Sequence, residues 1–305
     1  MSSTRDRVLR AIGMARIPGF HFAAHFLGVH FDRVAPNHAT VSLEAGESLL
    51  DADGSAHPGA VAFLADIGLS ASIRSGLDPA VRLATVSMHL QFTGAPATGR
   101  LEAEGEFQSD LAGISAKQAL SRVTVRSGGK IVAFGSGAFI VLDPLPGTKM
   151  HPVQQDRSNV PMLSEKELTK PELAILRAAE IAEKDATAKS PFIRHFWGYD
   201  AHATATGASC TMKNGGQVGN RVGHVQGGIL VGLAAATANA ALPDHWRLSA
   251  IQTQFVSPGE GRMLKARAKV VHQGRQTGVV RTEVTGAEGR RVLDVTSTHA
   301  KNGDR

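Results

Sequence analysis

One acidic side chain stands in the middle of an apolar segment, where burial would alter its chemistry. The segment starts at His57 and reaches Asp66 through Ala, Val, Phe and Leu residues, and no basic residue lies within one helical turn of the acid. Apolar residues on every side predict a helix that is buried all round and ends near Arg74, where Gly76 and Pro79 stop it. An unpaired acid in such a helix costs several kcal/mol or has a shifted pKa, and such acids concentrate at functional sites. The alternative is a carboxylate that reaches a solvated helix end or a partner from elsewhere in the chain.

The composition narrows the class of protein. The 305 residues predict two domains, and 42% apolar with 20% charged residues is ordinary for a soluble globular protein. No apolar run approaches the roughly 20 residues of a membrane span, and the N-terminal segment lacks the apolar core of a signal peptide. The single Cys210 excludes an internal disulfide and indicates a reducing, cytoplasmic location, where we predict a small buried side chain rather than a nucleophile.

Charge is distributed unevenly along the chain, whose formal net charge is +6. From Glu260 to Arg305, basic residues outnumber acidic ones two to one, which favours either a phosphorylated ligand or a plain solvated surface. With one Tyr and two Trp, the chain lacks the aromatic side chains that accompany basic residues in single-stranded nucleic-acid binders. No helix-turn-helix or other nucleic-acid motif occurs in the sequence, so no nucleic-acid partner is expected.

The same order of elements is predicted twice: two strands, a buried helix and four strands. The first copy has two strands around the turn at Pro36-Asn37, then the helix, then strands over 82–93, 100–109, 115–126 and 130–142. The second copy has two strands within 192–212, a helix over 227–242, and strands over 247–255, 262–272, 276–284 and 290–299.

The predicted elements divide the chain into four parts. A short basic helix over residues 1–20 belongs to a helical lead, and a charged helix over about 171–184 belongs to a linker. The expected parts are a helical lead over 1–26, a first domain over 27–147, a linker with a helix over 148–190, and a second domain over 191–305.

Two short matches support an internal repeat. Segment 91–96 (QFTGAP) matches 254–258 (QFVSP), and segment 99–103 matches 261–266. The repeat length is about 165 residues, and two such copies are expected to form a pseudo-twofold pair, the covalent analogue of a symmetric dimer.

These features resemble the hotdog-fold acyl-CoA thioesterases of the phenylacetate-pathway (PaaI-like) class, duplicated as a double hotdog. In that family a His-Gly-Gly segment opens the central helix and an acid follows nine positions after the His, a spacing that His57 and Asp66 keep. Segment 271–279 resembles the family's fifth-strand region. The resemblance implies an α+β fold, a double hotdog whose two antiparallel sheets each wrap one central helix. It also allows a homodimer of double hotdogs.

The two copies depart from the family motif in complementary ways. In the family, the residue after the His donates its N–H to the thioester carbonyl, and the acid comes from the other copy of the dimer. Pro58 has no N–H to donate, whereas Gly227, which follows Gln226, keeps one. Nine positions after Gln226 stands Ala235, so the second copy has no acid. The resemblance therefore implies one working site, in which Asp66 activates water or attacks directly and Gln226 and Gly227 are donors, and one inactive site.

Two further positions agree with this division. The family carries an Asn six positions before the His that helps to hold the thioester, and the matching residues are Asn220 in the second copy and Asp51 in the first. It also carries a strand hydroxyl that holds water beside the acid. Thr85 matches it in the first copy, and Leu248 in the second, although Ser249 is adjacent. The alternative is that both copies have decayed and that the paired losses are chance.

The remaining expectations concern ligands. The resemblance and the charge pattern suggest that cations hold the phosphates of CoA, although exposed Arg on a strand edge is usually just solvated. The candidates are Arg221, Lys269, Arg275 and Arg281. His21 and His25 are spaced to share a helix face, but no third ligand is evident, so no metal and no cofactor beyond the CoA of the substrate are expected.

The predicted function is hydrolysis of an acyl-CoA thioester. Dehydratases and hydratases of the same fold need a His beside the carboxylate, and His57 falls in the inactive site. A serine hydrolase would need a Gly-x-Ser-x-Gly elbow, which is absent. The strongest alternative is a non-catalytic acyl-CoA-binding module or sensor.

Overall fold

The chain forms one antiparallel sheet with helices packed on it. The computed structural model describes residues 3–78, 81–110, 118–143 and 159–302. The helices are α1 (Thr4–Ala15), α2 (Phe22–Leu27), α3 (Pro58–Arg74), α4 (Lys170–Asp185), α5 (Phe192–Trp197) and α6 (Gly227–Ala240). The first six strands are β1 (His30–Ala35), β2 (His38–Ala45), β3 (Arg82–Phe92), β4 (Gly99–Asp110), β5 (Gln118–Ser127) and β6 (Lys130–Leu142). The others are β7 (His202–Thr204), β8 (Gly207–Lys213), β9 (Trp246–Phe255), β10 (Met263–Gln273), β11 (Thr277–Thr285) and β12 (Arg291–Lys301).

The strand order repeats on either side of a central junction. The order is β1-β2-β4-β5-β6-β3 in the first half, continued by β9-β12-β11-β10-β8-β7 in the second. Two antiparallel sheets joined side by side were predicted, and β3 and β9 make the junction: they pair antiparallel from Ser87–Gln254 to Gln91–Ala250, so that the halves form one continuous sheet. Each of these strands would otherwise be an unpaired edge, so their pairing satisfies backbone groups that the separate halves would expose.

The two central helices cross each other at glycines. A Cβ on Gly228 would lie 2.4 Å from Cα of Phe63, and a Cβ on Gly232 would lie 2.7 Å from Cα of Gly59. Gly228 lies against Phe63, whereas the later residue Gly232 lies against the earlier residue Gly59, so α3 and α6 run antiparallel. Helix α3 packs on β2, β4 and β5, and α6 on β8, β10 and β11. As predicted, nearly the whole surface of each helix is buried.

Two strands were predicted within residues 192–212, and β7 and β8 account for them, but a short helix that was not predicted precedes them. The first six of these residues form α5, whose buried Phe192, Ile193, Phe196 and Trp197 lie on one helical face. Gly198 ends the helix in the left-handed conformation, and only then do β7 and β8 follow. Helix α2 is the counterpart of α5 in the first half: it is also six residues long, is mostly buried, and ends at a left-handed glycine, Gly28.

Helices α1 and α4 pack against each other beside the two halves. Helix α4 begins with a capping box formed by Thr169 and Glu172. Pro79, the start of the strand predicted over 115–126, and residues 148–158 of the predicted linker lie outside the described residues. The domain boundaries stay a prediction. No helix in the described ranges is long and apolar enough to cross a membrane.

Candidate active site

The carboxylate of Asp66 lies on α3 at the junction of the two halves. It is 6% exposed and accepts two hydrogen bonds, from Oγ1 of Thr85 at 3.1 Å and from Nε2 of Gln226 at 2.7 Å. Burial raises the pKa of Asp66 to about 6, and the two hydrogen bonds moderate the rise because they favour the charged form. The structure combines the two alternatives considered from the sequence. The acid is buried with a raised pKa, and it also has hydrogen-bond partners from other elements.

Gln226 connects this acid to the start of the second central helix. Its side chain is the N-cap of α6, where Oε1 accepts from the backbone N–H of Ile229 at 3.0 Å. With the oxygen committed there, the amide NH₂ faces Asp66. Gly227 is the next residue, and a Cβ at that position would lie 3.2 Å from Oδ2 of Asp66. The free N–H groups and positive end of a helix therefore lie beside the carboxylate, which suits an oxygen that gains negative charge.

A β-bulge positions the hydroxyl of Thr85. The register of β3 against β6 shifts between Thr85 and Ser87. Strand β9 has the equivalent shift against β12, between Leu248 and Ala250. The two bulges align Thr85 with Leu248 and leave Ser249 as the extra residue of the second bulge. The second half therefore has no hydroxyl at the position of Thr85.

Asn220 shapes the loop that leads into α6. Its Oδ1 accepts from the backbone N–H groups of Val222 at 3.0 Å and His224 at 3.1 Å. The ring of His224 in turn lies 3.1 Å from Oε1 of Glu260. Because the amide oxygen of Asn220 is used within the loop, the NH₂ is the group left to donate to a ligand.

The four basic residues that were predicted to hold the phosphates of CoA lie in different parts of the structure. Arg221 follows Asn220 and is half-buried, and burial lowers the pKa of its guanidinium. Lys269 and Arg281 are paired in register on β10 and β11, are exposed, and alternate with buried residues that face α6, so they lie on the opposite face of the sheet. Arg281 binds Asp294 at 2.8 Å, and Arg275 is exposed before β11. The structure therefore brings only Arg221 next to the loop of the site.

The equivalent place in the first half is filled by the chain itself. His57 is the N-cap of α3 and accepts from the N–H of Gly59 at 3.0 Å. The ring of Tyr199 stacks on His57 at 4.8 Å, and its hydroxyl donates to the carbonyl of Ile229 at 2.7 Å. A Cβ on Gly232 would lie 2.3 Å from that hydroxyl and a Cβ on Gly59 would lie 2.9 Å from it, so the phenol occupies the helix crossing. Sequence reasoning did not single out Tyr199, which lies in the range 192–212 that was predicted only to contain two strands.

An ion pair also occupies this region of the first half. Asp51, the counterpart of Asn220, forms an ion pair with Arg194 at 2.7 Å and lies 3.9 Å from Nε2 of His57. Burial lowers the pKa of His57 to about 4. His57 is therefore a neutral, buried capping residue.

No group of three His, Cys, Asp or Glu side chains in the described parts of the chain is arranged to hold a metal ion. The sulfhydryl of Cys210 is buried, and burial raises its pKa to about 12, which disfavours the thiolate that a nucleophile requires.

Comparison with known proteins identifies the class of the second half. Residues 218–300 match the family described as the acyl-CoA thioesterase N-terminal domain. This segment contains the loop of Asn220, all of α6 and most of the strands that cover it. No curated protein sequence matches the chain.

Solved structures share the fold at low sequence identity. A protein provisionally described as an oleoyl thioesterase from Lactobacillus plantarum superposes with a TM-score of 0.57 at 10% identity, covering 88% of this chain and 98% of that chain. A conserved protein with a hot dog fold from Alicyclobacillus acidocaldarius gives 0.51 at 10% identity, covering 91% and 96%. A protein provisionally described as a thioesterase II from Thermobifida fusca gives 0.50 at 13% identity, covering 90% and 96%. The fold is thus a double hotdog of the α+β class, and the family match to the second half makes the chain a thioester hydrolase.

Proposed function

We propose that the chain hydrolyses the thioester of an acyl- or aryl-CoA at one composite site. The first half supplies Asp66 and Thr85, and the second supplies Asn220, Gln226 and Gly227. The observation that carries this proposal is the 2.7 Å hydrogen bond from Gln226 to Asp66, because it joins the acid of one half to the donor helix of the other. The PaaI-like pattern of the sequence, with donor and acid on different copies, supports the same assignment.

The geometry suits attack by water. The thioester carbonyl accepts from the N–H of Gly227, at the positive end of α6, so the charge that develops on its oxygen is stabilised. Ionised Asp66 takes a proton from a water held by Thr85, and that water forms the new C–O bond at the carbonyl carbon. When the C–S bond breaks, the proton on Asp66 passes to the CoA sulfur, so acid and thiol are released and Asp66 is again a carboxylate.

Direct attack by Asp66 is the other route open to the same geometry, through an anhydride that water then cleaves. Single-turnover reaction in ¹⁸O water can reveal the anhydride. Label in Asp66 after one turnover requires the anhydride, whereas label only in the released acid is compatible with attack by water and with an anhydride that water cleaves at its acyl carbon.

The activity is tested by measuring release of free CoA thiol from a panel of acyl- and aryl-CoAs, with binding of each measured in parallel by calorimetry. We expect turnover of at least one member without added metal or cofactor. Binding without thiol release would contradict the proposal and favour a non-catalytic acyl-CoA-binding module. Activity lost on treatment with a chelator and restored by a divalent ion would contradict the metal-free mechanism.

A further inference from the structure

The phenol of Tyr199 is inserted where α3 and α6 cross. A Cβ on Gly232 would lie 2.3 Å from its hydroxyl oxygen and 2.7 Å from Cα of Gly59, and a Cβ on Gly59 would lie 2.9 Å from the same oxygen. A side chain at either position would therefore displace the phenol. Tyr199 itself follows α5, yet its hydroxyl lies against both central helices.

The hydroxyl acts on the first turn of α6. It donates to the carbonyl of Ile229, the third residue of the helix, at 2.7 Å. Burial raises the pKa of the Tyr199 phenol, so the hydroxyl stays protonated and can donate at every pH at which Asp66 is ionised. A buried hydrogen bond is electrostatically stronger than one in water. This bond therefore fixes one carbonyl of the turn that begins with Gly227.

A path of three hydrogen bonds leads from this carbonyl to the acid. The backbone N–H of Ile229 donates to Oε1 of Gln226 at 3.0 Å, and the NH₂ of Gln226 donates to Oδ2 of Asp66 at 2.7 Å. With the bond from Tyr199, all four residues of the path are joined, and all four are buried. The NH₂ of Gln226 faces Asp66 because Ile229 holds the oxygen of the same side chain, so the position of Ile229 sets the donor to the carboxylate.

The first half has no equivalent of this hydroxyl. Gly28 and Gly198 end α2 and α5 in the left-handed conformation, so Val29 is the counterpart of Tyr199. The backbone agrees, since each of the two residues donates its N–H to the carbonyl five positions earlier. Val29 has no hydroxyl to donate to α3. The added hydrogen bond therefore belongs to the helix that carries the proposed donors.

We infer that Tyr199 is a positioning residue for the composite site, whose hydroxyl fixes Ile229 and thereby aligns Gln226 on Asp66 and the N–H of Gly227 on the thioester carbonyl. This inference rests on the proposed function. The residue that fills the inactive place then also holds the donors of the working one. Groups that act in a reaction must be held within about 0.5 Å of their working positions, so the loss of this bond should be felt in turnover.

The experiment uses Tyr199→Phe, which removes the hydroxyl and keeps the ring. On the best acyl-CoA, kcat should fall roughly 3- to 10-fold, the scale of one hydrogen bond, with KM within about twofold of wild type. Among the described residues, the influences on the pKa of Asp66 are burial and the hydrogen bonds from Thr85 and Gln226. The midpoint of kcat/KM against pH should therefore move to higher pH, by less than in Gln226→Leu, because the bond from Gln226 is weakened rather than removed.

The matched control is Thr237→Val on the same helix. Thr237 is buried, and its hydroxyl donates to the carbonyl of Leu233 at 2.7 Å, beyond the first turn of α6. The substitution removes a hydroxyl-to-carbonyl bond of the same length without touching Ile229. Its kcat and its pH midpoint should match wild type whatever stability it loses, and urea unfolding measures that loss in both variants.

A double variant tests the path itself. Leucine at position 226 cannot connect Ile229 to Asp66, so adding Tyr199→Phe to Gln226→Leu should leave the pH midpoint where Gln226→Leu alone places it. Such non-additivity is expected of residues that act through one hydrogen-bonded path. A shift that persists in full in the double variant would overturn the inference.

Two other results would also overturn it: wild-type kcat and midpoint in Tyr199→Phe, or changes that Thr237→Val reproduces. Titration of the Asp66 carboxyl by ¹³C NMR, assigned with Asp66→Asn, measures the same pKa without substrate. If wild type releases thiol from no acyl-CoA, the proposed function fails, and the titration still decides whether Tyr199 positions Asp66. A raised pKa in Tyr199→Phe supports that role, and an unchanged one refutes it.

Discussion

At the scale of single residues, Asp66 is under two opposing influences. Burial favours its neutral form, whereas Thr85 and Gln226 donate hydrogen bonds that favour the carboxylate. The resulting pKa of about 6 lies near neutral pH, where a general base is most effective. The same two donors also fix the position of the carboxylate against α6.

Replacing the acid should remove most of the activity. We expect Asp66→Asn to lower kcat on the best acyl-CoA by about 10² or more, the scale of a lost acid–base group. Thr85→Ala and Asn220→Ala each remove one hydrogen bond of a set and should cost less, roughly 0.5–1.5 kcal/mol in ΔΔG‡. Thiol release from purified, folded variants measures the effect.

The matched control is a substitution at the site that is expected to be inactive. His57→Ala should leave kcat nearly intact, because His57 is a buried cap beside Pro58 rather than a group of the composite site. If His57→Ala abolished turnover while Gln226→Ala and Asn220→Ala were silent, the site would belong to the first half alone.

The activity should depend on pH through Asp66. Because the base must be ionised, kcat/KM should be level above pH 6 and fall about tenfold per unit below it, where the pKa of Asp66 lies. Gln226→Leu removes a donor to the carboxylate, so it should move the midpoint to higher pH. A pH–rate profile from 4.5 to 8 tests this, and a midpoint that stays fixed in Gln226→Leu would contradict the role of that hydrogen bond.

The same pKa predicts an effect on stability. The folded pKa of Asp66 lies above its ordinary value of 3.8, so the contribution of its neutral form is fully present below pH 3.8 and is lost as pH rises through about 6. At pH 8, Asp66→Asn should therefore be more stable than wild type by up to about 3 kcal/mol, at about 1.4 kcal/mol per pKa unit. The difference should nearly vanish at pH 4. Urea unfolding at both pH values measures it, and equal differences would refute the account.

The resemblance to a known family predicted which side chains meet, but not everything that surrounds them. Asp66, Thr85, Gln226 and Gly227 were selected because they match motif positions of that family, and the structure brings these four together. The position of His21 beside the loop of Asn220 did not follow, because α2 of one half packs beside a loop of the other. Local periodicity carries no information on such an exchange, and the spacing of His21 and His25 indicated only a weak metal hypothesis.

At the scale of elements, long segments were predicted well and short ones less so. Helix α3 was expected to end near Arg74 and does, because its apolar pattern is long and its ends carry clear signals. The two strands expected within 192–212 correspond to β7 and β8, but helix α5 before them was not predicted, because six residues are too few for a helical period to stand out. The side-by-side joining of the two sheets was expected, but not which strands form the junction, since pairing of β3 with β9 depends on edges far apart in the chain.

Helices α3 and α6 can cross this closely because glycines, which have no side chain, lie at the crossing. Gly228→Ala would bring a Cβ within 2.4 Å of the backbone of Phe63, and the helices would have to separate. We expect a loss of 1–3 kcal/mol or more in the free energy of unfolding, the scale of an overpacked core.

The control for this prediction is Gly68→Ala on α3. Its Cβ would meet Cβ of Ala103 at 3.3 Å, a contact that small movements can accommodate. The gain in helix propensity of about 1 kcal/mol should offset the crowding, so its stability should stay near that of wild type. Similar losses in both variants, measured by denaturant unfolding, would show that the crossing is not specially tight.

At the scale of the whole molecule, the halves are joined by one sheet, by the helix crossing and by the packing of α2 against α5, where the rings of Phe26 and Phe196 lie 4.9 Å apart. Buried residues of both halves belong to one apolar core. The pseudo-twofold arrangement therefore presents two equivalent places for a ligand, of which Tyr199 and Arg194 fill one.

One ligand should bind per chain. Calorimetric titration with a non-hydrolysable ketone analogue of the best acyl-CoA should give a stoichiometry of one, because the phenol of Tyr199 and the Arg194–Asp51 pair occupy the other place. Arg194→Ala should leave the affinity at the working site unchanged. A stoichiometry of two in wild type would show that the first half also binds acyl-CoA.

Because the two halves belong to one chain, their sequences do not have to be identical. In a dimer of identical subunits, every substitution occurs in both sites, so the changes Pro58, Arg194 and Tyr199 would close both at once. Here each half has its own sequence, so the place beside His57 can be filled without changing the residues of both halves that surround Asp66. Under the proposed function, the chain keeps one of two potential sites, and its substrate-binding residues can change without a symmetric copy that must change with them.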